Sequence, residues 1–155
     1  MPHLRKGGKY VFGWSQVRED GGILLPDEAL QEYRLDAVEK VILMSGSKTS
    51  GGFGITTKAL LEQSPLSGIL FTNPNLANYE IGEGKTVRFK GRAICWLNIS
   101  ASGLIILSPE AMRTYRVNLG DYLLSIRSSN IAIGMVLKGP LIEVAKRYPE
   151  IKVFD

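Results

Sequence analysis

Apolar and polar positions along this chain follow one short pattern, and follow it twice. Tyr10 to Val17 and Arg92 to Ile99 mix aromatic and β-branched residues, the composition of strands. Asp20-Gly21-Gly22 and Ser100-Ala101-Ser102-Gly103 are turn signals, each followed by a brief apolar run, Ile23 to Leu25 or Leu104 to Leu107. Pro26-Asp27 and Ser108-Pro109 then place helix-initiating residues ahead of a glutamate, which favours the first turn. Ala29 and Tyr33, like Ala111 and Tyr115, are four apart and share a helical face, so a short helix ending near Arg34 or Arg116 is predicted. Third strands are predicted at Val41 to Met44 and Tyr122 to Ile126, and fourth strands at Phe53 to Thr57 and Ile131 to Leu137.

A second helix closes each half. Gly139-Pro140 opens the better one, bounded by Pro149; Thr57 to Gln63 is the weaker, bounded by Pro65. Between the halves, a connector rich in Pro, Gly and Asn carries a possible strand at Gly68 to Phe71.

The two patterns are related residue by residue. Shifted by 82 positions without a gap, Trp14 falls on Trp96, Gly21 on Gly103, Ile23 on Ile105, Leu25 on Leu107 and Tyr33-Arg34 on Tyr115-Arg116. Val17 meets Ile99, and Val41-Ile42 meets Leu123-Leu124. We read the chain as internally duplicated, with a first repeat over 1–64, a connector over 65–88 and a second repeat with its C-terminal helix over 89–155. Neither repeat alone has ample apolar surface, so a shared core is expected, in a closed pseudo-two-fold β barrel with short helices.

Composition narrows the function classes. Of 155 residues, 45% are hydrophobic and 22% charged, the balance of a folded globular chain. The net charge of +4 is compatible with a polyanionic partner and equally with an ordinary surface. One cysteine, Cys95, and one histidine, His3, exclude an internal disulfide and a Cys/His zinc cluster. No apolar run reaches the roughly 20 residues that span a bilayer, nor does the start of the chain resemble a signal peptide. A cytoplasmic protein is expected.

The stretch Val17-Arg18-Glu19-Asp20-Gly21-Gly22-Ile23-Leu24-Leu25-Pro26, its short helix and Val41-Ile42-Leu43 resemble the SpoVT/AbrB domain. That family is marked by a G-x-[IV]-x-[IL]-P strand, a short helix and a GD-x-[VL] turn. Gly103-Leu104-Ile105-Ile106-Leu107-Ser108 and Gly120-Asp121-Tyr122-Leu123 supply the second copy. The resemblance implies a swapped-hairpin barrel of two ββαβ units and a DNA-binding transition-state regulator or antitoxin. The tandem single-chain layout is similar to MraZ-type proteins and to cradle-loop and RIFT barrels. Departures are plain. Where DNA-binding members often carry arginine after the turn glycine, this chain has Gly22 and Leu104. Helix positions that often hold arginine pairs hold Leu30-Gln31 and Met112-Arg113. Arg18 keeps an expected basic position, its counterpart being Ser100, and the Asp-x-x-x-Arg signature of MraZ-type chains is absent.

Several residues invite a functional and a plain reading together. Lys85 to Arg92, taken as one strand, would align Arg88, Lys90 and Arg92 on one face to meet successive phosphates, or would simply keep an exposed strand unpaired. Arg5, Lys6 and Lys9 could extend such a patch. Arg34 and Arg116, basic in both repeats, could grip a two-fold ligand such as double-stranded DNA, or complement a helix C-terminus. Arg127 sits in a polar turn that could meet a ligand or be only a hairpin. Lys48 to Gly54 is glycine-rich but lacks the residue order of a phosphate loop, so a hairpin or bulge competes with a nucleotide site. Trp14 and Trp96 could stack on bases or serve as symmetric core or interface anchors.

No histidine is placed as a base and no nucleophile set is available, so neither catalysis nor a cofactor is expected. Glu28 and Glu110 suit helix starts better than acid–base chemistry. The expected function is a DNA-binding transcriptional regulator of the AbrB kind. The alternatives are a protein-interaction module, including a homodimer, and a small-molecule or nucleotide-binding barrel.

Overall fold

The computed structural model describes residues 10–155; His3, Arg5, Lys6 and Lys9 lie outside them. In chain order the elements are β1 (Val11–Gln16), β2 (Gly22–Leu24), α1 (Asp27–Glu32), β3 (Lys40–Ser45), β4 (Phe53–Thr56), α2 (Lys58–Glu62), α3 (Gly68–Thr72) and α4 (Pro74–Ala77). There follow β5 (Val87–Phe89), β6 (Arg92–Asn98), β7 (Leu104–Ile106), α5 (Pro109–Tyr115), β8 (Tyr122–Arg127), β9 (Ile133–Val136), α6 (Pro140–Ala145) and β10 (Val153–Phe154). The protein is mainly β with short helices.

Eight strands form one mixed sheet in the order β10-β1-β8-β9-β4-β3-β6-β5, and β2 with β7 forms a separate antiparallel ribbon. The sheet is open: β10 and β5 end it without pairing to each other. The closed barrel expected from the repeats is therefore not how these hydrogen bonds run. Two-residue β10, parallel to β1, is an edge strand that the sequence did not predict; β5, the edge on the far side, lies within the 85–92 segment read as a strand.

Strand registers recur at the 82-residue spacing. Trp14 stands opposite Leu124 and Trp96 opposite Ile42; Ser15 faces Leu123 and Leu97 faces Val41. In the ribbon Ile23 faces Ile105; in the sheet Gly54 faces Gly134, a pair spaced by 80 rather than 82. Two irregularities break the match: β1 has a register shift between Val11 and Gly13, which β6 lacks, and Ile42 pairs with Thr56 whereas Leu124 pairs with Val136, two residues short of the 82-residue counterpart.

Local chemistry explains the turns into the ribbon. Asp20 Oδ1 accepts the Gly22 N–H at 2.8 Å, and Ser100 Oγ accepts that of Leu104 at 3.0 Å. Gly21 and Gly103 take φ of 84° and 91°, and a Cβ on Gly103 would lie 2.5 Å from Leu30 Cδ1. Each half then bonds the other: Leu25 N–H donates to Gly103 O at 3.0 Å and Leu107 N–H to Gly21 O at 3.1 Å. The helix α5 starts as its sequence demands, with Pro109 at its first turn and Ser108 Oγ accepting the Ala111 N–H at 3.0 Å.

The central core lies between sheet and ribbon. Ile23, Leu25, Ile105 and Leu107 meet Val41, Leu43, Phe53, Ile55, Ile133 and Met135 there, with Tyr33 and Tyr115 of the helical segments. On the opposite face of the sheet two satellite clusters lie under short helices. One gathers Ile42, Ile94 and Trp96 beneath the 61–81 segment; the other gathers Val11, Leu124 and Ile126 beneath α6. The predicted strand at Gly68 to Phe71 is a helix, α3, because Ile69 and Leu70 anchor a turn of helix on the first satellite cluster. No helix of the described residues is long and apolar enough to cross a membrane.

The two tryptophans have matching registers but different covers. Trp96 is 7% exposed, packs at 5.4 Å against Tyr79 and donates its indole N–H to Ile81 O at 2.9 Å. Trp14 is half-buried and meets Tyr122, itself 49% exposed, edge-on at 6.4 Å. The difference lies in the connector, which folds over one tryptophan only.

Candidate nucleic-acid interface

The basic segment 85–92 is a hairpin rather than one strand. After β5 the chain turns through Lys90 and Gly91, with φ of 48° and 81°, and Phe89 pairs with Arg92 at the start of β6. Two successive positive φ values fit the right-handed twist of a two-residue hairpin, and glycine at the second position makes the turn accessible. Arg88, Lys90 and Arg92 therefore do not form a period-two row. They occupy the strand, the turn and the returning strand of one hairpin, and all three are exposed.

Packing holds this hairpin on the sheet edge. Val87 and Phe89 are half-buried against the satellite cluster containing Ile94 and Trp96. At the hairpin's base, Glu110 accepts the Thr86 backbone N–H at 2.6 Å and the Thr86 hydroxyl at 2.9 Å. These two bonds, the backbone one foremost, hold the Glu110 carboxyl below its ordinary range. Glu110 thus has a second task besides starting α5. Lys90 Nζ lies 5.4 Å over the Phe89 ring. Among the described residues none of Arg88, Lys90 and Arg92 forms an ion pair with a carboxylate.

The other predicted contacts are placed elsewhere. Arg34 and Arg116 are exposed and left-handed, with φ of 56° and 58°, at the ends of α1 and α5. Their N–H groups donate to Gln31 O and Arg113 O, each at 3.3 Å, so both residues terminate helices in the same way. Arg18 is half-buried and donates from Nη2 to Asp155 O at 2.8 Å. Arg127 is committed to structure: its guanidinium forks onto both Glu32 oxygens and lies 4.8 Å over the Tyr10 ring. That fork lowers the Glu32 carboxyl and raises the guanidinium, favouring the charged form of both. Of the seven predicted cations, three lie in one hairpin, with Arg88 on the Ala93 face and Arg92 on the opposite, Phe89 face.

Glycines in the 46–52 loop serve packing. A Cβ on Gly46 would sit 2.2 Å from Gly51 O, and one on Gly52 would sit 2.1 Å from Met135 O. The Gly46 and Gly51 N–H groups are used within the loop, to Gly52 O and Ser47 O. The hairpin reading fits this loop, in which the Gly46, Ser50 and Gly51 N–H groups are spent on partners within the loop.

Sequence reasoning missed the Glu110–Thr86 clamp and the Tyr33 hydroxyl, which donates to Ser129 O at 2.6 Å across the molecule. Tyr33 and Glu110 were visible only as helix residues; their partners lie 96 and 24 positions away. Comparison with protein-family models, curated proteins and solved structures finds no match to this chain.

Proposed function

We propose that the protein is a non-catalytic DNA-binding protein of the cytoplasm that grips the phosphate backbone through the β5–β6 hairpin. One observation carries the reading: Arg88, Lys90 and Arg92 lie exposed on a single braced hairpin at the sheet edge, and among the described residues no carboxylate pairs with them. Cations held this way release condensed counterions on meeting phosphates and position a protein without reading bases. A two-stranded ribbon also has the width to enter a major groove. A role in transcriptional control follows from the SpoVT/AbrB resemblance and rests on it alone.

Duplication of one ββαβ unit belongs to the same proposal. Supporting it are the paired registers at 82-residue spacing and the reciprocal bonds from Leu25 to Gly103 and Leu107 to Gly21.

Amide chemical-shift mapping with a duplex DNA tests the reading. Shifts should concentrate between Val87 and Ala93 and spare Arg34, Arg116 and Arg127. Shifts centred on those three arginines, or no shifts at low salt, would remove it.

A second reading, protein docking, draws on a 520 Å³ groove between β1, β8 and α6 lined by Trp14, Tyr122, Ile142, Tyr148 and Val153. Exposed apolar and aromatic rings of this kind suit a partner surface, a second copy included. Sedimentation of wild type against Tyr122→Glu distinguishes it, since only an interface there makes the mass depend on that side chain.

A further inference from the structure

The outward face of the main sheet is open at Gly54, while the Ile126 and Ser128 side chains lie close over the facing Gly134. Gly54 of β4 stands opposite Gly134 of β9, while Phe53, Ile55, Ile133 and Met135 at alternate positions fill the core behind them. A glycine inside a strand marks a close approach of another backbone or of a ligand. For Gly54 the first explanation fails. A Cβ there would meet only Ile133 O at 3.5 Å and Ala132 Cβ at 4.0 Å, both at ordinary contact distance. Its φ is not left-handed either, so the backbone does not require glycine.

The open position lies on the floor of a 620 Å³ groove between the two satellite layers. Met44 and Leu66 stand on the side of the first satellite cluster, and Ile126 and Val136 belong to the second. Ser47, Ser50, Ser128 and Ser129 bring hydroxyls from two hairpin loops, and the Tyr33 bond to Ser129 O fixes one of those loops. Among the described residues, Lys48 and Arg92 are the charged ones lining the groove, and no aspartate or glutamate lines it. At the 82-residue spacing, the counterparts of Lys48 and Arg92 are Asn130 and Tyr10, so the positive charge is not repeated across the floor.

We propose that this groove binds a small phosphate-bearing ring compound of the nucleoside-monophosphate class, its ring over Gly54 and its phosphate facing Lys48 and Arg92. The open position at Gly54, bordered by Ile126 and Val136, leaves an apolar surface on which a planar ring fits. Two cations and a hydroxyl rim suit a dianion. The volume falls among sites that enclose small organic ligands, of roughly 300–1,000 Å³, and exceeds what inorganic phosphate would fill. The site is separate from the DNA grip except for Arg92.

Titration calorimetry with AMP, GMP, CMP and UMP tests this, with adenosine, guanosine and inorganic phosphate as controls. At least one mononucleotide should bind saturably at one site, and each control at least tenfold more weakly. Gly54→Val places a strand-favouring side chain into the groove, so it should abolish binding while the thermal midpoint stays level or rises. Lys48→Ala should weaken binding about tenfold through loss of a charge-assisted hydrogen bond. Because Lys48 is exposed, Lys48→Glu keeps the test open if Gly54→Val misfolds. Arg88→Ala with Lys90→Ala should leave mononucleotide binding intact even where DNA binding falls. The proposal is overturned if no mononucleotide binds, if phosphate alone binds as tightly, or if neither Gly54→Val nor Lys48→Glu reduces affinity. Loss of mononucleotide binding in the Arg88/Lys90 variant would overturn it too, by placing the ligand on the hairpin.

Discussion

Ile23 and Ile105 stand directly opposite each other across the β2–β7 ribbon, and both side chains are buried in the central core. They occupy the same position in the two halves of the chain, so each half completes its core with the other's ribbon strand. Ile105→Ala should cost about 2–5 kcal/mol in urea unfolding, the range for a buried isoleucine whose site cannot collapse. Ile23→Ala should cost about as much, and the double variant should depart from the sum by about 0.5–3 kcal/mol because the residues touch. Additive costs under about 1 kcal/mol each would mean the ribbon is peripheral.

Trp14 and Trp96 should report their different covers. Acrylamide should quench the fluorescence of Trp96→Phe, which retains half-buried Trp14, far more readily than that of Trp14→Phe. Tyr79→Ala should then open Trp96 to the quencher, since that ring covers it. Equal quenching in the two single variants would show that the connector does not shield the second tryptophan.

Glu110 links the hairpin to pH. Its folded-state affinity for protons is lowered from the ordinary 4.5 by the bonds it accepts from Thr86. A depressed carboxyl stabilises the fold above its unfolded pKa and loses that contribution as pH falls through the folded value. Thermal midpoints followed from neutral pH to below 4.5 should therefore decline more steeply for wild type than for Glu110→Gln. Glu32, lowered by its fork with Arg127, keeps some slope in both proteins. Parallel curves would show that the Thr86 clamp does not matter to the folded state.

Gly91 sets the hairpin turn. A Cβ there meets nothing within 4 Å, so Gly91→Ala acts through its φ of 81° alone. The expected cost is about 1–2 kcal/mol. Gly91→Asn should cost less, because a short polar side chain tolerates the left-handed region. If alanine were the milder change, the turn would not have the positive-φ geometry described here.

Much of this fold was legible from residue order, and the reasons are local. Asp20-Gly21-Gly22 and Ser108-Pro109-Glu110 carry their turn and cap chemistry within four residues, so their structure follows from short-range bonding. The 68–71 segment misled because Ile69, Leu70 and Phe71 form an apolar run too short for its period to separate strand from helix. Lys85 to Arg92 misled because Lys90-Gly91 is a weaker turn signal than Asn-Gly, and tertiary pairing of Phe89 with Arg92 decided it. Arg127 looked available because its partner, Glu32, lies 95 residues away. The Gly54–Gly134 pair escaped notice for a plain reason: its spacing is 80, and a gapless shift of 82 passes over it.

The DNA grip is tested most directly by fluorescence anisotropy of a labelled duplex across a salt series, comparing wild type with Arg88→Ala/Lys90→Ala. Wild-type affinity should fall linearly with salt on logarithmic axes, and losing two phosphate contacts should flatten that slope by about 1.8 while lowering low-salt affinity. A duplex that does not bind at low salt, or one bound by both proteins with the same affinity and slope, would contradict the assignment of the β5–β6 hairpin to DNA.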